Sequence, residues 1–144
     1  MFMRTAIRAA APLRAAAPLR AAGPLRVSRA LSTEVPITQV ARVWRSHVNG
    51  EKDTVALDEL IADRVLPELR QQPGFVRTVR TVCKAEWAYE FSIVFASLDD
   101  FQAYMASDYY KKLSEQQIPQ ALDFFAKNYP EDFYAGNRVY DEWP

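Results

Sequence analysis

Residues 75–96 read FVRTVRTVC, KAE, WAYEFSIVFA, and this stretch decides the fold. Phe75 to Cys83 alternates well enough for a strand, with Arg77 and Arg80 on opposite faces. Trp87 to Ala96 reads as a second strand. One side of it carries Trp87, Tyr89, Phe91, Ile93 and Phe95, and the other Ala88, Glu90, Ser92, Val94 and Ala96. The link Lys84-Ala85-Glu86 is too short for a parallel crossover, so the two strands form an antiparallel hairpin. Both faces of the second strand are apolar, whereas a sheet with one solvated face alternates more cleanly. The outer face is therefore expected to meet another surface, and dimerisation through the sheet is its simplest source.

Upstream, Ile37 to Ser46 is β-branched and aromatic, with Val40, Val43 and Trp44, and reads as a first strand. A polar turn follows at Asn49 to Asp53. Asp53 or Thr54 is expected to cap a helix whose Leu57, Leu60, Ile61, Val65, Leu66 and Leu69 make one apolar stripe. Pro67 removes a backbone donor and predicts a bend, and Gln71-Gln72-Pro73-Gly74 ends the helix. Downstream, Ser97-Leu-Asp-Asp100 resembles a capping box opening a helix with Phe101, Tyr104 and Met105. Ser107-Asp108 restarts it through Leu113 to about Ile118, Pro119 bends or breaks it, and Ala121 to Lys127 extends it. Phe133 to Tyr140 reads as a fourth strand before the tail Asp141 to Pro144. The order is β-α-β-β-α-β, an α+β, ferredoxin-like fold with an antiparallel four-stranded sheet.

Residues 1–31 contain six arginines and no acidic residue; the first carboxylate is Glu34. A basic, Ala-rich, acid-free leader has the composition of an organelle transit peptide. Arg29-Ala30-Leu31-Ser32 resembles a mitochondrial processing site, so 1–31 is the expected leader and 32–144 the working domain. Mitochondrial import, with the matrix as destination, is the reading the leader favours, and plastid import is the alternative. The chain has 18 basic and 18 acidic residues, so loss of the leader leaves a net charge of −6 on 113 residues. That is one domain's length, and its acidity excludes nucleic acid as an expected partner. No apolar run approaches the ~18 residues of a membrane span. The lone Cys83 forms no internal disulfide, which suits a reducing compartment.

Three segments resemble the antibiotic-biosynthesis monooxygenase (ABM) group of dimeric α+β barrels: the helix ending Leu66-Pro-Glu-Leu-Arg-Gln-Gln-Pro-Gly-Phe75, the strand Glu90-Phe-Ser-Ile-Val-Phe95, and the helix Ser97-Leu-Asp-Asp-Phe-Gln-Ala-Tyr-Met-Ala-Ser107. The resemblance covers about residues 37–141. It implies a homodimer with a cleft between helices and sheet in each subunit. It also implies oxidation of quinol-like aromatics without metal or flavin, or else haem degradation. The haem-degrading pattern needs an Asn on the first strand, a Trp closing the third and a His on the second helix. Here the first strand has no Asn, and the other two positions are Ala96 and Tyr104, so haem is disfavoured and no cofactor is expected.

Cofactor-free oxygenation requires a snug apolar cavity and one or two polar groups that orient or deprotonate a phenol. Trp44, Phe91, Ile93, Tyr104 and Tyr109 are the candidates for its wall; ordinary core and dimer packing is the competing reading. No catalytic residue is assigned. His47 is the only histidine, so one subunit has no two-histidine metal site; at a strand end it reads as solvated or backbone-bonded. Cys83 reads as a small apolar residue near the hairpin, with a reactive thiol beside Lys84 as the alternative. Arg42, Arg77, Arg80 and Arg138 fall on strands, where one could bind an anionic substrate or all could pair with Glu86, Glu90 or Asp141. Tyr109-Tyr110-Lys111-Lys112 reads as a solvated helix face. Phosphate loops, nucleophile elbows and CxxC pairs do not occur. Two functions follow: a mitochondrial protein that binds and oxygenates a small aromatic molecule, or a non-catalytic accessory or assembly subunit of a larger mitochondrial complex.

Overall fold

The computed structural model describes residues 37–140; the expected leader and the tail from residue 141 lie outside the described residues. Four strands make one antiparallel sheet: β1 (Gln39–His47), β2 (Phe75–Cys83), β3 (Ala88–Phe95) and β4 (Tyr134–Tyr140). Their spatial order is β2-β3-β1-β4, the ferredoxin-like arrangement. β1 is hydrogen-bonded to β3 on one edge and β4 on the other. That register places Trp44 opposite Phe91 and Ser46 opposite Tyr89. Trp87, expected on β3, instead closes the hairpin turn with φ 58°. Its carbonyl accepts a hydrogen bond from Val48 N–H at 2.9 Å, which ties the turn to the end of β1.

The first crossover comprises α1 (Glu51–Leu60), a π-helical turn (Ile61–Val65) and α2 (Leu66–Leu69). The second comprises α3 (Leu98–Ala106), α4 (Asp108–Lys112), another π turn (Leu113–Gln117) and α5 (Ile118–Phe125). Neither proline stops its helix, which continues past it from a π turn. A helix-interior proline clashes with the carbonyl four residues back and offers no N–H. Here the residue before each proline donates one step further: Leu66 N–H bonds Ile61, and Ile118 N–H bonds Leu113. The widened turn moves the carbonyl out of the ring's way and lets the helix run on. The caps also differ from expectation at one end. α1 begins at Glu51, and Thr54 Oγ1 donates back to the Gly50 carbonyl at 2.9 Å instead of capping. At α3, Ser97 Oγ accepts from Asp100 N–H at 3.1 Å and donates to the Asp100 carboxylate at 2.6 Å. Ser107 repeats the cap for α4 by accepting from Tyr110 N–H at 3.1 Å.

The helices cover one sheet face. Phe95, Ile93, Leu69 and Leu113 are fully buried between the layers, and the Phe95 ring meets Phe101 edge-on and Tyr104 at 4.6 Å. A second, smaller buried cluster of Ala41, Val43 and Val94 lies on the opposite face. There Arg138 makes a bidentate pair with Glu90, both bonds 2.7 Å.

Gly74 sits at φ +69°, and a Cβ there would collide with the Asp100 side chain that completes the α3 cap. Its carbonyl also accepts from Ala96 N–H at 2.9 Å. Gly74→Ala is expected to lower stability by about 1–3 kcal/mol; an unchanged urea midpoint would show that neither the backbone nor the cap is constrained.

Candidate functional site

A cleft of about 600 Å³, with the open space at its mouth counted, lies between helices and sheet. Its floor is two adjacent cross-strand pairs. Trp44 and Phe91 stack at 6.3 Å with 15° between ring planes. Beside them, Ser46 faces Tyr89. The wall above comes from both proline-linked π turns, through Ile61 and Val65 on one and Leu113 and Gln117 on the other. A π turn bulges its side chains by one residue relative to an α-helix, and both bulges front this space.

The floor is thus an apolar rung beside a polar one. Tyr89 donates its hydroxyl to Asp58 Oδ1 at 2.7 Å, and Arg80 holds the other carboxylate oxygen at 2.6 Å. Burial, then the bond to Asp58 and its charge, push the Tyr89 phenol well above the ordinary tyrosine range, with Arg80 opposing. Tyr89 therefore stays neutral. Ser46, only 3% exposed, donates to Asp132 Oδ1 at 3.2 Å. The same carboxylate meets His47 Nδ1 at 2.9 Å. Both hydroxyl hydrogens point to carboxylates outside the cleft lining, so the oxygens' lone pairs are left to accept.

Of the five expected wall residues, the structure brings Trp44 and Phe91 to the cleft floor. Ile93 is sealed in the core between Phe91 and Phe95 on the same strand face. Tyr104 packs on Phe95, and Tyr109 donates to the Val65 carbonyl at 3.1 Å, tying α4 to the first π turn. These three lie outside the lining because the second crossover puts Leu113 and Gln117, not α3, over Trp44. His47, expected to be solvated or backbone-bonded, instead pairs with Asp132. No imidazole, thiolate or thioether lines the cleft, and the single histidine is held by a carboxylate. Among the described residues no three metal-ligating side chains gather. Ser46 and Gln117 escaped the sequence reading, yet Ser46 shares its strand face with Trp44, which was a usable signal. Asp132 gave none, since it is 86 residues from Ser46.

No protein-family model matches the chain, and no curated protein does. Solved structures of similar fold exist at low identity. One is a monooxygenase of Streptomyces coelicolor in complex with the ligand nanaomycin D, 18% identical with a TM-score of 0.56, covering 75% of this chain and 91% of that one. A cofactor-independent oxygenase of Streptomyces nogalater is 20% identical, TM-score 0.52, covering 74% and 96%. A dimeric ferredoxin-like protein from Jannaschia is 15% identical, TM-score 0.50, covering 71% and 99%. The likeness establishes a ferredoxin-like α+β fold shared with ABM-type oxygenases.

Tyr104 and Tyr109 are raised as Tyr89 is, chiefly by burial. A raised phenol contributes stability below the unfolded value near 10 and loses it as pH climbs toward the folded value. Stability is therefore expected to hold to about pH 10 and fall beyond it. Urea denaturation on both sides of that point checks this. Tyr89→Phe and Tyr104→Phe should each remove roughly 1 kcal/mol of the alkaline loss; an undiminished loss in both variants would refute the assignment.

Proposed function

We propose that the cleft binds a small flat aromatic molecule through a hydroxyl donor, a phenol or quinol, and supports its cofactor-free oxygenation. One observation carries this: the floor sets an acceptor rung, Ser46 and Tyr89, beside a stacking rung, Trp44 and Phe91. A ring lying on Trp44 and Phe91 brings its hydroxyl to the polar pair. A quinone or a methyl ether, which only accepts, gains no hydrogen bond from these two oxygens, a difference of about 1 kcal/mol.

Asp58 polarises the Tyr89 oxygen, which loosens a bound phenol's hold on its proton and makes its ring more electron-rich. Oxygenation without a cofactor balances when the ligand supplies every electron. A ring methylene conjugated to the phenol loses two hydrogens and becomes a carbonyl, and the second oxygen atom leaves as water. The fold shared with cofactor-independent oxygenases supports this reading. A second reading, a non-catalytic accessory or assembly subunit that binds without chemistry, is favoured by the absence of any carboxylate or imidazole from the lining.

The acid-free, arginine-rich leader supports a mitochondrial location, read by where a fluorescent fusion to residues 1–31 goes. The fold shared with a dimeric ferredoxin-like protein supports a homodimer. Light scattering at micromolar concentration is expected to give twice the protomer mass; a monomer mass would remove the dimer.

Quenching of Trp44 fluorescence is expected to show a naphthol binding about tenfold more tightly than its methyl ether. Ser46→Ala and Tyr89→Phe should erase that preference, and Ala121→Trp should close the cleft to both. Equal affinity for the two probes in the wild-type chain would refute the acceptor rung. Oxygen uptake with a bound anthrone, after chelator treatment, separates oxygenation from binding alone: no uptake leaves the accessory reading.

A further inference from the structure

Arg42 is the anomaly on the helix-facing side of the sheet. Arg80 and Arg138 have carboxylate partners, and Arg77 lies on the outer face with Gln39. Arg42 points toward the helices, opposite Ile93 and Asn137. Its guanidinium lies between two rings, 5.8 Å from Trp44 and 5.7 Å from Tyr110. Its Nη1 donates to the neutral Asn137 Oδ1 at 2.9 Å. Among the described residues no carboxylate lies within ion-pair reach.

Two buried donors in this neighbourhood have no partner among the described residues: Arg42 Nε and the Tyr104 hydroxyl. Tyr104 is 2% exposed, and its ring lies 5.3 Å from Tyr110. Buried donors are ordinarily satisfied, and a half-buried cation without a counter-ion is unfavourable. The Tyr104 phenol is kept neutral by burial, so it can only donate to an anion or accept from a donor. Arg42 and Tyr104 both pack on the Tyr110 ring, with Trp44 on the guanidinium as well, so a cation and a phenol lie beside shared ring walls, a set suited to a singly charged planar anion. One guanidinium and one hydroxyl match a carboxylate's two oxygens, whereas a doubly charged phosphate would want a second cation.

We propose that Arg42 and Tyr104, walled by Trp44 and Tyr110, form a second binding site, one that takes the carboxylate of a small aromatic acid. The site adjoins the cleft, with Trp44 common to both, but does not depend on the phenol reading. Access is from β4, whose helix-side residues Ala135, Asn137 and Val139 are exposed. Arg42 Nε and the Tyr104 oxygen are closed to water, so the half-buried Tyr110 ring yields as the anion enters.

Benzoate is the probe, with benzamide as its neutral counterpart and acetate as the anion without a ring, titrated against the full chain. The Nε–H resonance of Arg42 reports the contact directly. Benzoate is expected to shift it and to bind about tenfold more tightly than benzamide or acetate. Arg42→Gln should abolish the benzoate preference, and Tyr104→Phe should weaken benzoate several-fold. A wild-type far-UV circular dichroism spectrum and a cooperative urea transition in Arg42→Gln certify that this variant is folded. An unmoved Nε–H signal, equal affinity for benzoate and benzamide, or undiminished benzoate binding in Arg42→Gln would each overturn the proposal. Loss of naphthol binding in the wild-type chain alone would overturn the cleft reading and leave this one standing.

Discussion

β1 is hydrogen-bonded along both edges, to β3 and to β4, and the cleft and the Arg42 site both depend on that two-sided pairing. A strand held on both sides cannot slip its register without turning every side chain to the opposite face. Arg42, Trp44 and Ser46 therefore face the helices as a fixed series: a cation, a stacking ring and a hydroxyl. Cross-strand partners complete each step, with Ile93 and Asn137 beside Arg42, Phe91 beside Trp44 and Tyr89 beside Ser46. Chemistry of three kinds is thus laid out along one strand at the two-residue period.

The space above the strand is set by the prolines. Pro67 and Pro119 each lie two residues beyond a π turn, and the carbonyl each ring would strike has been moved by one hydrogen-bond step. The same distortion that tolerates the proline pushes a turn of side chains toward the sheet at an altered angle. Ile61 and Val65 from one crossover, and Leu113 and Gln117 from the other, therefore front the cleft instead of filling it. Tyr109 completes the arrangement by bonding the Val65 carbonyl, so the two π turns are held in fixed relation.

The carboxylates sit one layer away from the ligand space. Burying a carboxylate in an apolar cleft costs several kcal/mol, roughly, unless it is paired. Asp58 is instead paired with Arg80 and Asp132 with His47, and each acts on the cleft through a neutral hydroxyl. Tyr89 and Ser46 carry the orientation inward without carrying the charge. Arg42 departs from this pattern, since its neighbours on the helix side supply rings and a neutral amide but no counter-ion.

The strands, the apolar helix stripe and the serine caps were legible because each depends on neighbours in sequence: alternation of two, spacing of three and four, a hydroxyl three residues before the N–H it accepts. Trp44 and Phe91 were legible as cleft residues for the same reason, being large rings at the strand period. Ile93, Tyr104 and Tyr109 shared that signal and went elsewhere, because periodicity assigns a face and not a place along it. The prolines announced a perturbation, but whether a helix breaks or widens depends on the packing that rewards its continuation. The acceptor rung and the Arg42 site were beyond the sequence altogether. Ser46 meets Asp132, Tyr89 meets Asp58, and Arg42 meets Tyr110 only after the sheet pairs and both crossovers fold back. Sequence by itself determined the element order and the faces; tertiary structure alone decided which polar atoms were satisfied, because hydrogen bonds between distant segments exist only once those segments touch.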